Sequence, residues 1–242
     1  MLSNFFSFDE LNDFYSLIVQ YARNVIAVGY IRSPKAYVES LFQQNLKMGK
    51  VNSFDLEKRF PCYQDLFEKF DVIFGKENVQ YWNFNPSTFA NNCVVEDFYH
   101  RLGIDCFSET IVRVNEGLSL EVISLLYAYS KYRQEIGLDY TEQPKFPLLF
   151  NFPDKYQSKE KLRFSSRLIL PLLEKNYRQI EWMENRMGVS LAEDILKDDC
   201  HAVHSEVDLL KFAPKTTKWL AEKLGPNYIK QWHRDMSPQE IG

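Results

Sequence analysis

The residues best placed to do chemistry lie in one short run, Tyr30-Ile31-Arg32-Ser33-Pro34-Lys35-Ala36-Tyr37-Val38-Glu39-Ser40. Arg32 directly follows an apolar, β-branched stretch, Asn24 to Ile31. Ser33 then Pro34 is a strong helix start, with serine as N-cap and proline in the first turn. The helix is expected to run through Leu46 and to stop near Gly49. The arginine thus leaves the C-terminal end of a strand, where open parallel sheets bind ligands. The unpaired N–H groups and positive dipole end of the next helix open beside it. Ser40 follows Ser33 by close to two helical turns, near the same helix face. A guanidinium, a helix N-terminus and a hydroxyl on one side can hold a phosphate. The plain alternative is a solvated loop arginine and an ordinary surface serine.

The remaining candidates are weaker. Asp198, Asp199, Cys200, His201, His204 and Glu206 form the one cluster that resembles metal ligands, but no second Cys/His group stands at finger spacing. A polar connector before the next helix is the better reading, and no metal is expected. His100 and His233 are isolated. Tyr127, Tyr129, Tyr132, Trp182 and Trp219 could stack on a sugar, yet their helical spacing reads first as core. Lys155 to Arg163 is interleaved with Glu160 and reads as a solvated face.

The elements that must position Arg32 alternate. A helix is expected over 8–22, with Asp9 able to cap it, and then the strand, read as buried on both faces. The helix from Ser33 follows, then a polar loop over 47–61. Tyr63 to Phe74 predicts a helix with Leu66, Phe67, Phe70, Ile73 and Phe74 inward and Gly75 as its stop. Asn78 to Phe84 predicts a second strand, broken by Asn85-Pro86. Val94 to Leu102 predicts a helix ending at Gly103. Strands separated by helices imply a parallel sheet with crossover connections. Beyond residue 116 the pattern is helical: Leu118 to Ile136, Ser165 to Met187 with Pro171 inside, and Leu209 to Leu224, with Gly137 to Lys161 irregular.

Bulk properties bound the function. The chain has 242 residues, 45% hydrophobic and 15% aromatic, enough for a large buried core. Its 29 basic and 33 acidic residues give a net charge of -4, which argues against a general nucleic-acid binder. No apolar run reaches the roughly 20 residues of a membrane span. The opening residues lack the marks of a signal peptide. Cys62, Cys93, Cys106 and Cys200 form no CxxC pair, so reduced thiols and a cytoplasmic location are expected.

A strand ending in Tyr-Ile-Arg, then Ser-Pro, then a serine eight residues after the arginine, resembles the 3′-phosphate motif of bacterial-type sulfotransferases. Ser40-Leu41-Phe42-Gln43-Gln44, the helix closing on Phe74-Gly75-Lys76-Glu77-Asn78-Val79, and Phe84-Asn85-Pro86 continue the order of features. So do Asp97-Phe98, Leu102-Gly103-Ile104, Arg113-Val114-Asn115-Glu116 and Leu118-Ser119. The likeness covers roughly residues 20–190. Asn85 departs from the family's aromatic-Glu-Pro turn. The family's 5′-phosphosulfate loop, a strand followed by a Gly/Ser/Thr-Lys turn, has no counterpart among the residues before Arg32.

The resemblance implies a P-loop-NTPase-like three-layer α/β fold, a parallel sheet with helices on both faces and a helix-rich C-terminal half. It implies one domain over 1–242, α/β over 1–115, mainly helical over 116–242, and incomplete at its N-terminus. The implied donor is 3′-phosphoadenosine 5′-phosphosulfate, its 3′-phosphate held by Arg32 and Ser40. The implied reaction moves the sulfuryl group to a hydroxyl acceptor such as a saccharide, with no metal. The alternative is a truncated or degenerate non-catalytic nucleotide-binding or interaction domain.

Overall fold

In the computed structural model the described residues are 6–51, 53–105, 117–132, 160–196 and 201–211, with Thr216 and Glu222. The elements are α1 (Phe8–Ile18), β1 (Ala27–Ile31), α2 (Pro34–Lys47), α3 (Tyr63–Phe74), β2 (Val79–Asn83), α4 (Val94–Arg101), α5 (Leu120–Tyr132), α6 (Ser166–Lys175), α7 (Tyr177–Met187) and α8 (Glu206–Leu210). The chain is therefore mixed α/β and rich in helix. Two compact units divide it: residues 1–37, 60–115 and 172–194 form the first, and 38–59, 116–171 and 195–242 the second.

The first unit is built on the strand pair. β1 and β2 run parallel, in register from Ala27 opposite Val79 to Ile31 opposite Asn83. The β1–α2–α3–β2 order supplies the crossover that a parallel pair requires. Among the described residues the sheet stops at these two strands. β1 is half-buried along most of its length and only Ile31 is fully enclosed, so the expectation of a strand buried on both faces is not met. Its apolar run reflects one packed face and a short edge, because no further strand flanks it among the described residues.

Alternation sends Ala27, Ile31, Val79 and Tyr81 to one face. There Ile31 joins Tyr63 and Phe67 of α3, Met183 of α7 and Leu191, while Val79 joins Leu11 of α1 and Phe74 of α3. Tyr30 and Trp82 point the other way. Tyr30 meets Asp97, and Trp82 lies 6.0 Å from Phe98, both on α4.

Local signals explain most helix ends. Ser7, not Asp9, caps α1. Its hydroxyl accepts from the Glu10 N–H at 3.2 Å while Glu10 accepts from the Ser7 N–H at 2.8 Å. This reciprocal Ser-x-x-Glu pairing satisfies two otherwise free donors. Gly75 ends α3 at φ +82°, where a Cβ would sit 2.6 Å from the Glu77 carboxylate. The expected helix over 165–187 is two helices. They part at Asn176, whose φ/ψ of -110°/21° breaks the spiral and whose amide donates to the Leu172 carbonyl at 2.8 Å.

α3 carries an ion pair that its apolar periodicity hides. Asp71 faces inward and receives Arg186 of α7 in a two-pronged contact at 2.6 and 2.7 Å. The same guanidinium donates to the carbonyls of Lys76 and Val79, each at 3.0 Å. It thereby ties two helices to the start of β2.

The second unit packs rings. Phe42 lies 5.3 Å from Phe164 and 5.8 Å from Tyr127, with Phe54 against all three. Glu39 accepts from the Phe164 backbone N–H at 2.9 Å and from the Arg163 guanidinium at 3.1 Å. Glu206 of α8 accepts from the Tyr127 hydroxyl at 2.6 Å and from Lys131 at 2.7 Å, joining α8 to α5.

Candidate functional site at the end of the first strand

The two strands of the first unit finish side by side. The Phe84 N–H donates to the Ile31 carbonyl at 2.7 Å, prolonging the ladder by one rung. Arg32 and the Phe84-Asn85-Pro86 turn therefore leave the sheet together. The Arg32 guanidinium lies over the Phe84 ring, 4.0 Å from its centre. This position holds the cation by cation–π attraction. The Arg32 carbonyl accepts from the Tyr63 hydroxyl at 2.6 Å, which ties the backbone there to α3.

Arg32 is half-buried, and burial lowers its pKa below the usual guanidinium value. It remains a cation at any physiological pH. Among the described residues no carboxylate pairs with it. A guanidinium removed from water normally has an anion partner, because desolvation is otherwise uncompensated.

The N-terminus of α2 is another matter. Ser33 occupies the capping position, its carbonyl accepting from the Tyr37 N–H at 2.8 Å. The Lys35 N–H donates to the Glu193 carboxylate at 2.8 Å, so the helix already meets a negative charge from the chain itself. That arrangement is favourable for the dipole and stands where an external anion would approach the same amide. Burial, and then the neighbouring charge of Glu193, push the Tyr63 hydroxyl well above the ordinary tyrosine range. It stays protonated, as a donor to the Arg32 carbonyl must.

Asn85 serves the turn rather than the space beyond it. Its side-chain oxygen accepts from the Ser87 N–H at 3.2 Å and from the Ser87 hydroxyl at 2.7 Å. Behind Phe84, the Tyr30 ring meets Phe84 and Phe89 edge-on. The Tyr30 hydroxyl donates to Asp97, which also receives Arg101 at 2.7 Å. Burial works to raise the Asp97 pKa, but the hydrogen bonds from Arg101 and Tyr30 outweigh it and hold the carboxyl below its usual range. This triad anchors α4 to β1.

Ser40 is half-buried on α2, and among the described residues its hydroxyl has no hydrogen-bond partner. α2 belongs to both units, its first turn to the first and Val38 onward to the second. Arg32 is thus described with the first unit and Ser40 with the second.

The weaker candidates separate. His201 is exposed, with its Nδ1 3.8 Å from Glu160, while the His204 N–H donates to Asp208 and Glu206 is engaged by Tyr127 and Lys131. Asp198, Asp199 and Cys200 lie outside the described residues, as do His233, Trp219, Cys106 and 113–116, and most of 137–161 and 212–224. Among the described residues no group of three or more His, Cys, Asp or Glu side chains could hold a metal ion. Tyr127 and Tyr129 are core residues rather than a sugar platform. Among the described residues no helix is long and apolar enough to cross a membrane.

Comparison with protein-family models, with characterised proteins and with solved structures finds no match. The functional reading therefore stands on the chain's own residues. Sequence reasoning located Arg32 and its strand–helix setting but missed Glu193 and the inward role of Tyr63. Tyr63 carries a visible signal, one turn before Phe67 on the buried stripe. Glu193 carries none, because its contact joins residues 158 positions apart.

Proposed function

We propose that the chain binds a phosphate-bearing nucleotide through Arg32, as a sulfotransferase-like protein whose ligand is 3′-phosphoadenosine 5′-phosphosulfate. The observation that carries the reading is the half-buried, ring-clamped Arg32, to which no described carboxylate is paired. A phosphate would pair with it in charge-assisted hydrogen bonds that a guanidinium can make two at a time. Ser40 enters by the resemblance, as a second contact to the 3′-phosphate. In the reaction so implied, an acceptor oxygen of a hydroxyl compound such as a saccharide attacks sulfur in line while a base takes the hydroxyl proton. The bond to the leaving 3′-phosphoadenosine 5′-phosphate then breaks. Positioning and charge stabilisation would dominate catalysis, as in phosphoryl transfer, and Arg32 would contribute by holding the donor.

The alternative is a truncated or degenerate non-catalytic nucleotide-binding or interaction domain, and Glu193 bears on it. Its carboxylate already occupies the Lys35 N–H at the head of α2, an amide that an anion-binding helix end would offer to its ligand.

Calorimetry with adenosine 3′,5′-bisphosphate tests the assignment in the native chain, Arg32→Ala and Ser40→Ala. Loss of a charged contact of about 1.5–3 kcal/mol should weaken binding by about 10–150-fold in Arg32→Ala. Equal binding by the native chain and Arg32→Ala would refute the role of Arg32, and absence of binding in all three would refute the nucleotide reading. Incubation with the labelled sulfate donor and a panel of hydroxyl acceptors separates transfer from binding alone.

A further inference from the structure

An arginine side chain has several rotatable bonds, and freezing them when a ligand binds costs part of the affinity gained. In this chain the Arg32 head group already has a neighbour, the Phe84 ring, whose centre lies 4.0 Å from the guanidinium carbon. Strand geometry explains the meeting. Tyr30 stands opposite Trp82 in the register and Ile31 opposite Asn83. Arg32 and Phe84 come one step later, each two residues past Tyr30 and Trp82, and so share their face of the sheet. The Phe84 N–H bonded to the Ile31 carbonyl at 2.7 Å keeps the two strand ends level.

The Phe84 ring is itself braced. Tyr30 meets it edge-on with ring centres 6.1 Å apart, and Phe89 does the same at 5.5 Å. Tyr30 and Phe89 also meet each other at 5.6 Å, so the three rings form one closed group. Phe89 is buried, and the Tyr30 hydroxyl is tied to Asp97. Just beyond, the Asn85 side chain closes the turn onto Ser87. A ring held on its edges and at its backbone offers its electron-rich face at a fixed place, which draws the cation there.

We propose that Phe84 is a positioning residue of the Arg32 site: it holds the guanidinium in place before a phosphate arrives and thereby sets part of the affinity. The inference rests on Arg32 being the phosphate-binding residue. Phe84 acts through Arg32 and touches no ligand itself. Without the ring, Arg32 would have to be ordered at binding, which weakens affinity about 2–12-fold, the equivalent of about 0.5–1.5 kcal/mol for one such side chain. The effect comes from the aromatic face and not from apolar bulk, so leucine cannot replace it and tyrosine can.

Calorimetry with adenosine 3′,5′-bisphosphate tests it on the native chain, Phe84→Leu, Phe84→Tyr, Arg32→Ala and the Arg32→Ala/Phe84→Leu double variant. Phe84→Leu should bind about 2–12-fold more weakly than the native chain, and Phe84→Tyr should restore the loss. In the Arg32→Ala background, Phe84→Leu should weaken binding no further, since the ring then has no cation to place. Nuclear magnetic resonance adds a readout that needs neither ligand nor variant. In the free native chain the ring current of Phe84 should displace the Arg32 side-chain proton signals upfield, which decides the matter even where Phe84→Leu fails to fold. Circular dichroism checks that fold. Absence of binding by the native chain would overturn the phosphate reading of Arg32 and this proposal with it. Arg32-dependent binding that Phe84→Leu leaves unchanged would overturn the positioning role alone. So would a loss that Phe84→Tyr fails to restore or that persists in full after Arg32→Ala, or Arg32 signals without upfield displacement.

Discussion

Removing Arg186 should cost the first unit more than any surface change, and the structure says how much. The guanidinium makes a two-pronged contact with Asp71 at 2.6 and 2.7 Å and donates to the carbonyls of Lys76 and Val79. The side chains of Arg186 and Asp71 are 18% and 2% exposed, so water can replace little of what is lost. Arg186→Ala leaves a buried carboxylate without its cation and two carbonyls without that donor. Breaking one side of a buried pair costs about 3–5 kcal/mol, a large part of the roughly 5–15 kcal/mol that holds a domain together. Asp71→Asn keeps the shape but turns an amide N–H₂ toward a donor, for about 1–3 kcal/mol. Replacing both residues by apolar ones of similar volume should recover most of the loss, because neither charge is then stranded. Urea denaturation followed by circular dichroism measures all four proteins, with the slope checked for a change in compactness. A cost for Arg186→Ala below about 1 kcal/mol, or a double replacement no better than the single one, would refute this account, since exposed pairs are worth that little.

Acid should loosen α4. The Asp97 carboxyl is held below its usual pKa, so its contribution is complete above the unfolded carboxylate value, about 4, and is lost as pH falls through the folded value. Stability measured from pH 7 down to pH 2.5 should decline more steeply in the native chain than in Asp97→Asn, which has no carboxylate there to protonate. Parallel curves would show that the Tyr30–Asp97–Arg101 group contributes nothing to acid sensitivity. Glu193→Gln should act oppositely on stability and on ligand binding. Loss of a charge at the α2 N-terminus should lower stability by about 0.3–1 kcal/mol. Removing that charge should also tighten adenosine 3′,5′-bisphosphate binding about 2–5-fold, a gain of similar size. Calorimetry showing unchanged or weaker binding would mean that Glu193 does not compete with the phosphate.

Much of the local structure is legible in the residues themselves. Pro34, Gly49, Gly75 and Gly103 mark helix boundaries because ring closure or a positive φ is a one-residue property. The strand endings at Ile31 and Asn83 follow from short apolar runs bounded by polar residues. The strand–Arg32–helix order was therefore readable, and with it the place where a ligand would be sought. The capping of α1 was misread because Ser7 and Asp9 are both good caps, and only the reciprocal partner at Glu10 decides between them. The break at Asn176 was hidden by continuous helical periodicity across it.

What the sequence determined by itself was the kind and order of the elements, since propensity, capping and apolar period act over a few residues. Tertiary structure decided where the charges find their partners. Asp71 reads as a surface residue on an amphipathic helix, and it became a buried anchor because Arg186 arrives from a helix more than a hundred residues later. Glu193 has no local mark, and yet it meets the amide at the head of α2. Arg32 was visible as a cation at a strand end, but its stacking on Phe84 and its lack of a described carboxylate partner emerged only with the fold. The reason is physical: a charge's state depends on burial and on what lies within a few ångströms, and the chain brings those neighbours together only by folding.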